Sequence, residues 1–240
     1  MPAPLLSVIV PLYNEQDNVA QLQQEIRKAL AGIDYELVLV DDGSTDATIA
    51  HIQADPTVRL IAFEKNAGQS AAMHAGIHQA RGELIATLDG DLQNDPADIP
   101  AMIEALDHGP GFDLVCGYRA QRKDTTFKRL QSRIANFVRS RFVGDGVRDT
   151  GCTLKVMRRP CREALLLFNG MHRFIPALIR NMGYRVTEMP VNHRPRIHGI
   201  SKYGFGNRAL RATTDMLGVR WLNSRRTRYQ IKTTPPHPQS

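Results

Sequence analysis

The segment TLDGDLQNDP, Thr87 to Pro96, sets Asp89, Asp91 and Asp95 within seven positions, directly after the apolar run ELIA. Carboxylates gathered at the end of a buried strand repel one another unless a cation or a set of donors relieves them. Asp and Gly are also ordinary turn residues, so a lone DxD reads equally well as a solvated turn. A second acidic pair, Asp41-Asp42, follows another apolar run. Two such clusters at one site mouth favour a hard divalent cation, Mg2+ or Mn2+, with oxygen ligands. Magnesium takes one or two carboxylates and completes its shell with phosphate oxygens, so Asp89 and Asp91 would hold a metal bound to a diphosphate. Gln93 would add a neutral amide oxygen. Asp95, before Pro96, is more simply the cap of the next helix.

These clusters need elements that bring them together. LLSVIVPL (5–12) reads as a buried strand, and Asp17–Leu30 has helical periodicity with Val19, Leu22, Ile26 and Leu30 on one face. YELVLV (35–40), VRLIAF (58–63), ELIATL (83–88) and FDLVCG (112–117) read as further strands, with helices over about 68–80 and 97–107 between them. Repeated β-α units with apolar strands predict an α/β fold with a mostly parallel sheet covered by helices. Ligands in such sheets bind beyond the carboxyl ends of the strands. YNE, DDGSTD and DGDLQND each follow a strand, so all three converge on that edge. Beyond Gly117 the reading is a basic amphipathic helix over Thr126–Phe142, a strand in GCTLKVMRR, a helix over 172–182, a strand in YRVTEMPV and a Gly/Pro/His-rich loop, NHRPRIHGISKYG.

The composition excludes several classes. In 240 residues, 42% apolar, there is enough material for a large packed domain. No stretch approaches the ~18 apolar residues of a membrane-spanning helix, and the N-terminus reads as a strand rather than a signal peptide. The three cysteines, Cys116, Cys152 and Cys161, lack zinc spacing and point to reduced thiols in the cytoplasm. The net charge of +7 is uneven: from Asn192 onward ten Lys/Arg face one acid, Asp215, while residues 1–191 are slightly acidic. A localised basic patch implies a localised anionic partner. Nucleic acid is disfavoured because the basic segment carries no readout motif.

Taken together, PLYNE (11–15), VDDGSTD (40–46), NAGQSAAMHAGI (66–77) and DGDLQNDP (89–96) resemble the successive motifs of a family 2, GT-A-fold (Rossmann-like) glycosyltransferase. GYR, DTGCTLKVMRR, HRFIPAL and RIHGISKYG narrow the resemblance to polyprenyl- and dolichyl-phosphate sugar transferases, the dolichol-phosphate mannose synthases among them. The resemblance implies a metal-dependent hexosyltransferase using GDP-mannose or a UDP-sugar. It places Pro11, Tyr13 and Glu15 on the nucleoside, Val40 and Asp42 on the base, and Asp89, Gly90 and Asp91 on the ribose and metal–diphosphate region. Asp91 and Gln93 are then metal ligands, and Arg196 and Lys202 cover the donor diphosphate. Tyr13 could stack or be a strand-end core aromatic, and Asn14 is better read as stabilising a turn.

The acceptor implied is a polyprenyl phosphate. Arg119 after the FDLVCG strand, and Arg129, Ser132 and Arg133 on one helix face, would bind its phosphate, since Arg presents a fork matched to phosphate oxygens. A phosphate monoester is already anionic at neutral pH, so no general base is required. It would attack the anomeric carbon in a single inverting displacement. Asp149 could serve as a base in relatives with hydroxyl acceptors, or be a turn residue or sugar contact; His193 and His198 are better read as loop residues, and Cys152 as a buried small residue.

The expected organisation is a GT-A catalytic domain over 1–202, an amphipathic basic helix and juxtamembrane segment over 203–228, and a disordered tail over 229–240. The 203–222 helix carries Met216, Leu217, Val219 and Trp221 on an apolar arc, followed by Arg225, Arg226 and Arg228. It suits an interfacial helix on an anionic membrane, on the inner cytoplasmic face, or an arc packed on the catalytic domain. Two other readings stand beside this one: a family 2 enzyme acting on a glycan or lipid hydroxyl, and a non-catalytic nucleotide-sugar binding module. The sugar, the base and whether the protein is a homo-oligomer are left open.

Overall fold

The computed structural model describes residues 3–120, 142–195 and 208–227. The segments expected to carry Arg129, Ser132, Arg133, Arg196, Lys202, His198 and Arg228 lie outside them.

Seven strands form one sheet: β1 (Leu6–Leu12), β2 (Tyr35–Asp41), β3 (Val58–Ala62), β4 (Leu84–Thr87), β5 (Leu114–Arg119), β6 (Lys155–Arg158) and β7 (Val186–Val191). Their order is β3-β2-β1-β4-β6-β5-β7. β3-β2-β1-β4 is parallel throughout, as is β5-β7, but β6 runs antiparallel to both β4 and β5. The sheet is therefore mixed, largely parallel with one reversed strand. Hydrophobic runs report burial but not direction, so the sequence had no means of showing the reversal. GCTLKVMRR also yields a shorter strand than expected, beginning only at Lys155.

Alternate strand residues feed two cores, which is why the strands read as unbroken apolar runs. Ile9, Val38, Val40 and Ile85 pack with Met73 and Ile77 of α2 (Gln69–Gln79) and with Leu178 of α4 (Ile175–Asn181). Val8, Val10, Leu37 and Leu39 pack on the opposite face with Leu22 and Ile26 of α1 (Val19–Ala29) and Met102 of α3 (Ile99–Asp107). α2 lies so close to the sheet that a β-carbon on Gly76 would collide with the Ile9 side chain.

The expected 172–182 helix splits into a single turn, Met171–Arg173, and α4. The last helix, α5 (Arg208–Arg225), docks on the domain. Val219 is buried, and Met216 and Leu222 pack against the α2/α4 core. Asp215 pairs with Arg173 at 3.0 Å. Arg226 donates to the carbonyls of Ala164 and Leu178. The apolar arc is thus divided: part packs on the domain, while Leu217 and Trp221 stay 53% and 65% exposed.

Candidate active site

The carboxyl ends of β1, β2, β4 and β5 share one edge of the sheet, and each delivers polar residues there. The reversed strand β6 begins where β4 ends, with Lys155 opposite Thr87 of β4 and Cys116 of β5. An antiparallel insertion thereby brings a lysine to a rim otherwise built from strand ends.

The loop after β4 is held on all sides. Gly90 lies against β1, where an added β-carbon would fall 2.8 Å from Leu12 Cδ2 and 3.5 Å from Glu15 Cγ. Leu92 takes a left-handed backbone, φ 60, with its side chain 1% exposed in the core. A leucine in that region is strained by roughly 1–3 kcal/mol unless the surroundings impose it. Here the burial of Leu92 fixes the turn between Asp91 and Gln93. Beyond it, Asn94 donates to Thr153 Oγ1 at 2.9 Å and forms a β-bridge with His193. Arg194 N donates to the Gln93 carbonyl at 2.8 Å, and the Arg194 side chain pairs with Glu25 and Asp95. Asp95 caps the next turn through Ala97 N, as its position before Pro96 suggested.

At the centre, Asp89 is half-buried and accepts from Gln69 Nε2 at 2.8 Å. Burial, and then the neighbouring charge of Asp91, push its pKa up to about 6, against the pull of Thr153, Lys155 and Gln69. Asp91 is 9% exposed and its Oδ1 accepts from Gln93 N at 3.2 Å. Gln93 Nε2 donates to the Arg194 carbonyl at 3.4 Å, which leaves Oε1 as the end suited to a cation. Among the described residues no group of three or more His, Cys, Asp or Glu side chains converges as a metal cluster. The donor set is two carboxylates and an amide oxygen. All three are hard oxygen donors, and a divalent cation is what would relieve the Asp89–Asp91 repulsion.

The other expected residues fall into three groups. Pro11 and Val40 face each other in the β1–β2 register and are buried, so a nucleotide would meet main-chain atoms there. Tyr13 is half-buried at the end of β1, and Glu15 Oε2 accepts from Asn18 Nδ2 at 2.6 Å. Asp42 is 3% exposed and accepts from Ala67 N at 2.7 Å, Gly68 N at 2.9 Å and Asn66 Nδ2 at 2.9 Å. Its carboxylate ties the β2 loop to the entrance of α2. Asn14, φ 53, accepts from Thr45 N at 2.8 Å and so joins two loops, which agrees with a turn-stabilising role. Arg119 makes a two-pronged pair with Asp149, Nε to Oδ2 at 2.7 Å and Nη2 to Oδ1 at 2.9 Å. Asp149 therefore orients the arginine at the end of β5.

Several residues here escaped the sequence reading. Lys155, 1% exposed, donates to the Cys152 carbonyl and its charge reaches both Asp89 and His172. Ser70 Oγ lies 2.8 Å from His172 Nδ1. Burial, then the charges of Arg173 and Lys155, lower the His172 pKa to about 4. A lysine inside an apolar strand pattern was the available signal for Lys155. Cys152 is buried and its thiol pKa is raised by desolvation, in keeping with a packing role.

The sequence profile described as "Glycosyl transferase family 2" matches residues 7–166. The chain belongs to glycosyl transferase family 2. This family member is 42% identical over 224 residues to a dodecaprenyl-phosphate galacturonate synthase of Rhizobium johnstonii, covering 89% of the chain and 66% of that protein. It is 39% identical over 209 residues to an undecaprenyl-phosphate 4-deoxy-4-formamido-L-arabinose transferase of Edwardsiella ictaluri, covering 83% and 63%. The chain thus spans just under two thirds of the length of these relatives. Among solved structures it resembles glucosyl-3-phosphoglycerate synthase of Mycobacterium tuberculosis, seen with Mn2+, UDP and phosphoglyceric acid. That match has a TM-score of 0.66 at 17% identity and covers 92% of this chain and 78% of the other. A complex of the same synthase with Mg2+ and UDP gives 0.65 at 19% identity, covering 90% and 79%. The fold is GT-A-like α/β, with a largely parallel mixed sheet.

Proposed function

We propose that this chain is an inverting transferase that moves a sugar from a nucleotide-diphosphate sugar to a polyprenyl phosphate. The observation that carries the reading is the 42% identity across 89% of the chain with a protein named for joining galacturonate to dodecaprenyl phosphate. The site chemistry supports it. Asp89, Asp91 and Gln93 would hold Mg2+ or Mn2+, which when bound would neutralise the departing nucleoside diphosphate. Tyr13, Glu15, Asp42 and Gly90 would line the nucleotide end, with main-chain contacts from Pro11 and Val40. Arg119, its fork oriented by Asp149, would receive the acceptor phosphate, joined by Arg129, Ser132 and Arg133. Arg196 and Lys202 would close over the donor diphosphate. A phosphate oxygen needs no base to attack the anomeric carbon. The engagement of Asp149 with Arg119 argues against its service as a base for a hydroxyl acceptor.

The catalytic unit would work as a peripheral protein on the inner face of the membrane. No helix among the described residues is long and apolar enough to cross a membrane. Exposed Leu217 and Trp221 on α5 would offer apolar side chains to the lipid interface.

The test is a panel of labelled nucleotide sugars, UDP-galacturonate, UDP-glucose and GDP-mannose, incubated with undecaprenyl phosphate and Mg2+ or Mn2+. Transfer to the lipid, abolished by EDTA, is the expected result. Transfer only to hydroxyl acceptors, or binding without turnover, would overturn the reading.

A further inference from the structure

Ser70 lies in the first turn of α2, 5% exposed. Its Oγ receives the Gly170 N–H at 2.9 Å and lies 2.8 Å from His172 Nδ1. Among the described residues the hydroxyl proton has no other acceptor, so it is directed at Nδ1, and the Gly170 N–H occupies an oxygen lone pair. A neutral imidazole that accepts at Nδ1 carries its proton on Nε2. That Nε2 has no protein partner among the described residues, yet it is not sealed from solvent.

The ring is linked to the acidic loop through shared neighbours. Gln69, adjacent to Ser70 in α2, holds Asp89, and the charge of buried Lys155 acts on Asp89 and His172 alike. Burial, and then the charges of Arg173 and Lys155, oppose a second proton, so His172 offers a directional N–H rather than a charge. A phosphate site would gain from a cation; a neutral donor suits an uncharged oxygen. We infer that His172 presents a fixed Nε2–H to a hydroxyl oxygen of the sugar being transferred, and that Ser70 is the positioning residue that sets its tautomer. This rests on the donor being a nucleotide sugar.

The test uses the whole chain labelled with 15N-histidine, with His172 assigned by its loss in His172→Gln. Long-range 1H–15N correlation should show the Nε2–H tautomer at pH 7, and Ser70→Ala should give a mixture. Calorimetry first identifies a nucleotide sugar of the panel that binds with Mg2+. That sugar nucleotide should shift the Nε2 resonance, and its nucleoside diphosphate alone should not. In turnover, His172→Ala should lower kcat/KM for the donor ~10- to 100-fold, in line with one lost hydrogen bond to a buried site. His172→Gln, which keeps an N–H at similar reach, should recover part of that loss, and the KM for lipid phosphate should not move. A bound donor that leaves Nε2 unshifted, a shift with the diphosphate alone, or an Nδ1–H tautomer overturns the inference while sparing the proposed function. Binding of no nucleotide sugar at all overturns both.

Discussion

At the residue scale, the site is defined by charges held close together against their own repulsion. Asp91 raises the pKa of Asp89, so removing its charge should relax the protein while disabling the chemistry. Asp91→Asn is expected to raise the melting temperature of the metal-free protein and to lower turnover about a thousandfold or more. Calorimetry and sugar-transfer assays would check the two effects; an active Asp91→Asn would remove this residue from the metal set. His172 gives a separate pH signature. Its folded pKa of about 4 lies below its ordinary 6.5, so between those values the unfolded chain binds more protons. Stability from this group is therefore full above pH 6.5 and is lost as pH falls toward 4. Asp89 acts in the opposite sense: its raised pKa makes the folded state hold a proton between 3.8 and about 6, which favours folding as pH falls. Comparing wild type with His172→Gln cancels the Asp89 contribution. Wild type should lose about 2 kcal/mol relative to the variant between pH 7 and pH 5, read from denaturant titrations. A difference independent of pH would mean that His172 takes up its proton normally in the fold.

At the scale of elements, the loop 89–95 is positioned by packing from three directions. Gly90 sits on the end of β1, buried Leu92 fixes the left-handed turn, and the chain beyond β7 is bonded to Gln93 and Asn94. Gly90→Ala places a methyl 2.8 Å from Leu12 Cδ2, so the loop or the leucine must shift. A stability cost of ~1–3 kcal/mol is expected from overpacking. Displacement of the carboxylates by a fraction of an ångström should cost activity on the order of 10²-fold. Turnover measured well below the variant's melting temperature separates the two. If activity falls only in proportion to the unfolded fraction, the loop tolerates the shift and its placement matters less than its charges.

At the scale of the whole molecule, α5 joins the sheet and its helices to an exposed apolar surface. Met216, Val219 and Leu222 face the core, and Arg226 caps domain carbonyls, so these side chains belong to the fold. Leu217 and Trp221 lie outside it. Leu217→Ser with Trp221→Ser should therefore leave the melting temperature nearly unchanged. The double variant should weaken co-sedimentation with phosphatidylglycerol vesicles, and activity should fall on long-chain acceptor in vesicles but not on a short soluble acceptor. Wild-type binding should weaken as salt rises, because basic residues near an anionic surface contribute ~1 kcal/mol each. Arg226→Ala, by contrast, should act through stability. If the Leu217/Trp221 variant unfolds, or if both acceptors are affected equally, the exposed face serves the fold or another copy of the chain.

The sequence by itself determined the β-α alternation, the two-sided burial of the strands and the gathering of YNE, DDGSTD and DGDLQND at one sheet edge. Each follows from local patterns, apolar runs for strands and polar clusters at their ends, and local patterns survive in one dimension. It also carried the capping role of Asp95 and the turn role of Asn14, since both are set by near neighbours in the chain or by intrinsic preference. Tertiary structure decided what depends on partners distant in sequence. Strand direction leaves no mark on hydrophobicity, so the reversal of β6, and with it the arrival of Lys155 at the rim, became visible only in the sheet. Ser70 and His172 are 102 positions apart and meet across α2. Asp42 read as a base contact, and Asp149 as a base, a turn residue or a sugar contact, without their protein partners, because a carboxylate in a loop advertises charge but not its partner. The fold gives one to the backbone entering α2 and the other to Arg119. The apolar arc of α5 likewise read as one surface until packing divided it, because burial is a property of the neighbours a helix meets, not of the helix.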